Sequence, residues 1–146
     1  MNRYLLILQW VAFTLLAASP AEAVVISEIH YNPGEGLESL EFVELASDTT
    51  TPEDISGYRF SGGITYQFPQ GTILTRNQKI VVCSDRDAII EHYGINGSLV
   101  FGNFIGRLRR KCNIIHVVHS TANQYLEYSF LGAGVFKRST DSGRER

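Results

Sequence analysis

Several classes of protein are excluded by what this chain lacks. It has two cysteines and one tryptophan in 146 residues, and neither charge dominates, with 13 Lys+Arg against 15 Asp+Glu for a net charge of −2. That balance excludes a polyanion-binding tail protein, and 44% hydrophobic with only 19% charged residues excludes wholesale disorder. The length excludes a multidomain machine. There is no Gly-x-Ser-x-Gly elbow, no His-Glu-x-x-His, no phosphate loop and no Cys-x-x-Cys. No 20- to 50-residue repeat, heptad array or low-complexity tract interrupts the chain. What it does have is bulk: eight Phe and seven Tyr are enough for a core that folds without disulfide staples.

The amino end reads as an address. Arg3 precedes an apolar run from Tyr4 to Ala18 broken only by Gln9 and Thr14, Pro20 ends any helix, and Ala21-Glu22-Ala23 gives the small-x-small pattern of signal peptidase. The run is shorter than the ~20 residues that span a bilayer. A cleaved signal peptide over residues 1–23 is therefore expected, with no transmembrane segment left afterwards. Cleavage removes Trp10, the only tryptophan. Export implies an oxidising compartment, in which Cys83 and Cys112 have the opportunity to pair. Cys83 lies in the apolar run Ile80-Val81-Val82-Cys83, where a buried free thiol is the simpler reading.

From Val24 onward the pattern is β-like. Val24 to Tyr31 reads as a strand stopped by Asn32-Pro33-Gly34, and Leu40 to Ala46 as a second. Tyr58, Phe60, Ile64, Tyr66 and Phe68 fall on even positions around Ser61-Gly62-Gly63, which predicts a hairpin. Lys79 to Ser84 is nearly continuously apolar, as in a sheet packed on both faces. Asp85 caps a short helix over Arg86 to Tyr93 that Gly94 ends, and Leu99 to Phe104 returns to strand. Together these predict an all-β antiparallel sandwich with one short helix.

The charge reverses near Arg107. Val24 to Gly106 holds four basic and eleven acidic residues, net −7, whereas Arg107 to Arg146 holds eight basic and three acidic, net +5. The end from Lys137 to Arg146 is polar, basic and free of proline, a composition expected to be disordered. Between lie Ile114 to His119 and Tyr125 to Leu131, strand-like around a Ser120 to Asn123 turn.

The words VVISEIHYNP, LEFVEL, DISGYRFSGGITYQFPQGTIL and KIVVCSD, then VFGNFIGRL after the helix, resemble the lamin tail domain in its exported bacterial form. The matching elements are Ile26 to Ile29, Tyr31 to Pro33, Glu41 to Leu45, Asp54 to Tyr58 and Phe68 to Thr72, within Val24 to Leu108. The resemblance implies an immunoglobulin-like β-sandwich. It also implies, after Gly106 to Leu108, a polar glycine turn and two last strands with an aspartate-rich hairpin. Here Arg109-Arg110-Lys111-Cys112 follows instead. Either the last strands have diverged or the reading frame shifts near Leu108. In the second case residues 109–146 form a foreign tail adding little to the fold, and the sandwich is incomplete at its carboxyl end with an unpaired edge open to self-association.

Few residues carry chemistry. His30, His92, His116 and His119 are scattered, and the odd spacing of the last two puts them on opposite faces of a strand. Pairing of the first two strands brings Glu28, His30 and Glu44 to the outward face with Asp48 nearby. Hard oxygen ligands of this kind suit calcium, although a solvated face that blunts aggregation explains the same residues. Tyr31 and Tyr93 are loop aromatics able to line a ligand surface or to anchor their loops. Nuclear members of the resembled family imply nucleic-acid binding, but a body at −7 repels phosphate. The expected function is a non-catalytic, secreted binding or structural module with no cofactor, presenting loops to a surface protein, glycan or envelope component. Such modules usually sit within longer proteins, so a fragment is one expectation. The alternative is an accessory domain or fragment of an exported metal-dependent hydrolase.

Overall fold

A computed structural model describes residues 24–109, 113–118, 125–131 and 134–140; for 113–115 and the last two segments it describes the backbone alone. The expected signal peptide, Arg110, Lys111, Cys112, His119 and the Ser120 to Asn123 turn lie outside the described residues.

The first sheet contains β1 (Val24–His30), β2 (Phe42–Ser47), β7 (Lys79–Cys83) and β8 (Val100–Gly102), in the order β1-β2-β7-β8. The second contains β4 (Arg59–Gly62), β5 (Ile64–Gln67), β9 (Ile105–Gly106), β10 (Asn113–Val118), β11 (Tyr125–Leu131) and β12 (Gly134–Thr140), in the order β12-β11-β10-β4-β5-β9. β3 (Glu53–Asp54) and β6 (Ile73–Leu74) pair as a separate two-stranded ribbon. Val43, Leu45 and Val82 from the first sheet, fully buried, meet Phe60, Ile64 and Val117 from the second. This is the expected antiparallel sandwich.

The apolar run of β7 follows from its position. Ile80 and Val82 point into the sandwich core, while Val81 and Cys83 point into a second cluster with Leu40, Ile89 and Val100 beneath the helix α1 (Arg86–Tyr93). A strand covered on both faces has no polar side to display. The helix begins and ends as its sequence requires. Asp85 accepts from the backbone N–H groups of Asp87 and Ala88 at 3.1 Å each, and Gly94 adopts the left-handed conformation at φ 63°. Arg86 fastens the helix to the next segment, donating to the carbonyls of Val100 and Gly97 at 3.0 and 2.7 Å. Because α1 returns the chain along the sheet, β7 and β8 pair in parallel, the one departure from antiparallel order among the described strands.

Strand boundaries differ from expectation by a residue or two, β8 among them, which ends at Gly102 rather than Phe104. Leu40 belongs to a 3-10 turn over Glu38–Leu40, so β2 starts at Phe42, and Leu99 belongs to another over Gly97–Leu99 that Asn96 caps. Within β1 the register shifts between Ile26 and Glu28, a bulge at Ser27. The bulge lets Ile26 and Ile29, three residues apart, face the same core.

Beyond Leu108, where a tail adding little to the fold is expected, the described backbone runs in three strands of the second sheet; residues 141–146 lie outside the described residues. β10 pairs with β4, setting Val117 opposite Phe60, and both are buried. β11 pairs with β10 as the hairpin reading requires, and β12 runs through Lys137–Thr140, where disorder was expected. The physical reason is alternation: Val117 points into the core that Phe60 already occupies, so the edge of β4 is paired rather than exposed.

Candidate functional site

Glu41 is the residue around which the site is built. It closes the 3-10 turn, its N–H reaching the Glu38 carbonyl at 3.2 Å, and its own carbonyl accepts from the N–H of Ser84 at 3.0 Å. Although charged, it is only 4% exposed, and its Oε2 accepts the buried N–H of Leu108 at 2.9 Å. A buried carboxylate needs such a donor. The bond holds the segment after β9 against the loop that leads into β2.

Between those two segments lies an open cleft of about 420 Å³. Tyr31, Asn32, Pro33, Glu35 and Glu38 form one wall, Arg107 and Arg109 the other, and Glu41 and Leu108 the junction. Tyr31 packs against the sandwich core as well as lining the cleft, so it anchors its loop and presents a surface. Glu35, Glu38, Arg107 and Arg109 are exposed. The backbone on the basic side is fixed by close approach: Gly106 has φ +110°, and a Cβ there would stand 2.5 Å from the Gly63 carbonyl oxygen.

The metal-ligand candidates are placed differently from one another. Glu28 and Glu44 are cross-strand partners, and His30 lies two positions on, opposite Phe42. The Oε1 of Glu44 accepts from Ser27 Oγ at 2.6 Å and from the Lys79 ammonium at 2.7 Å, which raises the Lys79 pKa. His30 stacks on Phe42 with ring centroids 5.0 Å apart, and Asp48 is exposed beyond the end of β2. Among the described residues, no three His, Cys, Asp or Glu side chains are grouped as a metal site. Tyr93 is exposed and meets Phe42 edge-on at 6.1 Å.

The remaining polar groups of note serve the fold. Cys83 is buried with a free thiol that donates to the Phe101 carbonyl at 3.2 Å. Burial, with Asp85 nearby, pushes this thiol up to about 11. Tyr58 donates to Glu53 at 2.8 Å; burial first and this acidic partner second raise its pKa strongly. No helix among the described residues is long and apolar enough to cross a membrane.

Sequence reasoning missed Glu41 as a site residue. Its one signal was position, a carboxylate between Leu40 and the buried alternation Val43, Leu45, where no charge belongs without a partner.

Two packed sheets with a helix on one outer face define an immunoglobulin-like β-sandwich module. The lamin tail domain family model matches residues 17–125, and the chain belongs to that family, whose members are not generally catalytic. The match runs through β10 to the start of β11, beyond the Leu108 limit of the resemblance. No curated protein matches the chain.

Proposed function

We propose that this protein is an exported, non-catalytic binding module that meets a cell-surface protein, glycan or envelope component through its end cleft. One observation carries the reading: the bond from Leu108 N–H to Glu41 draws two distant segments together and leaves charged side chains on the rim of the cleft they form. Such a rim, set on a rigid sandwich, is a usual place for recognition. Several acidic and aromatic groups have structural partners, Asp85 at the helix cap, Glu53 on Tyr58 and Glu44 on Lys79. Export rests on the amino-terminal pattern from Arg3 to Ala23.

The test uses the full chain in an exporting host. The intact mass of the secreted product should begin at Val24, its spectrum should show tyrosine without tryptophan, and it should co-sediment with envelope fragments. Charge reversal by Arg109→Glu should weaken sedimentation without changing thermal unfolding. A membrane-retained product that keeps Trp10 overturns export, and a failure to sediment overturns the binding role.

A further inference from the structure

We infer that the ligand of the end cleft is dipolar, a short peptide with a free ammonium at one end and a free carboxylate at the other. The inference rests on the binding-module reading and names its ligand class. Its basis is the distribution of charge around one 420 Å³ cavity, a volume within the roughly 300–1,000 Å³ of small-ligand sites. Glu35 and Glu38 lie on one wall and Arg107 and Arg109 on the other. Among the described residues, none of Glu35, Glu38 and Arg109 is in an ion pair. The two segments are joined at the junction by the bond from Leu108 N–H to the Glu41 carboxylate, so their approach does not depend on the rim charges.

Charge eliminates the other classes. A polyanion would gain from the two arginines but would meet the exposed carboxylates of Glu35 and Glu38 across the cleft. A polycation would meet the reverse. A neutral glycan leaves the charges of Glu35, Glu38 and Arg109 unused. A dipolar peptide satisfies both walls at once, its ammonium on Glu35 and Glu38 and its carboxylate on the planar fork of Arg109, with the half-buried Tyr31 and Pro33 under its body. Both ends stay solvated, so binding is modest and weakened by salt.

The experiment titrates the full protein with trialanine, N-acetyl-trialanine and trialanine amide, following backbone amide shifts. Trialanine should shift residues 31–38 and 107–109, and each capped form should bind roughly two- to five-fold more weakly, the scale of one exposed charge pair. The variants should cross with the caps: Glu38→Gln should reduce the penalty of N-acetylation and leave that of amidation, and Arg109→Gln should do the opposite. Equal binding of all three peptides, an unchanged penalty in both variants, or no shift at these residues up to millimolar peptide overturns the inference. Envelope co-sedimentation of the same samples separates the two readings: if it persists while trialanine fails, only the ligand class is wrong.

Discussion

Glu41 and Leu108 are 67 positions apart, and a single hydrogen bond of 2.9 Å from the Leu108 N–H to the Glu41 carboxylate joins them. Both residues are buried. Removing the carboxylate leaves a buried donor without a partner, at a cost of about 1–3 kcal/mol. Glu41→Ala should therefore lower stability by that amount and loosen the cleft, while Glu41→Gln, which keeps an acceptor, should lose less. Urea unfolding of the three proteins decides it; equal loss in both variants would mean that a neutral acceptor of the same size cannot replace the carboxylate, so that its charge and not hydrogen bonding alone holds Leu108.

The alternation of β2 and β7 gives a second expectation. Val43 and Val82 are fully buried and paired across the sheet, so truncating either to Ala should cost about 1–3 kcal/mol in lost burial and cavity. Glu44 on the outer face bonds Lys79 and Ser27, and exposed pairs of this kind contribute roughly 0.2–1 kcal/mol. Glu44→Ala should be the mildest of the three. Matching midpoints for all three would contradict the faces assigned to these strands.

Local chemistry made much of this fold legible in the sequence. Asp85 and Gly94 marked the helix ends, and Phe60, Ile64 and Phe68 marked the hairpin, because caps and alternation act over a few residues. The bulge at Ser27 was harder to read, since the odd spacing of Ile26 and Ile29 becomes meaningful only once β2 fixes the register. The parallel pairing of β7 with β8 and the bond from Leu108 to Glu41 were beyond local reading, each depending on chain brought back from a distance. Arg109 was visible only as part of a charge run, and the cleft gave it a wall to stand on.

Alkali should weaken the fold through Cys83. Its folded pKa of about 11 lies above the ordinary 9.0, so between these values the unfolded chain releases a proton that the folded chain keeps. Stability then falls as pH rises through this window and is unaffected below it. Tyr58 and Tyr66, also raised by burial, add to the fall at the upper end. Cys83→Ala should flatten the loss between about pH 9 and pH 11 in chemical unfolding, and the native thiol should react slowly with alkylating reagents. An unchanged slope in the variant, or rapid alkylation at neutral pH, would count against this account.

The strands after Leu108 provide the last test. β10 pairs with four residues of β4 and places Val117, 3% exposed, against Phe60, so its loss would both open a sheet edge and remove a core side chain. Against a total stability of roughly 5–15 kcal/mol, losing three strands is expected to abolish cooperative unfolding. A chain ending at Arg109 should therefore melt without a sharp transition and associate through β4. A milder probe guards against mere aggregation of that truncated chain: Val117→Ala should cost about 1–3 kcal/mol, more than Val118→Ala, because Val118 is only half-buried. If the truncated chain instead unfolds cooperatively and Val117→Ala is silent, the sandwich is complete without β10, and the charge reversal at Arg107 marks the true end of the fold.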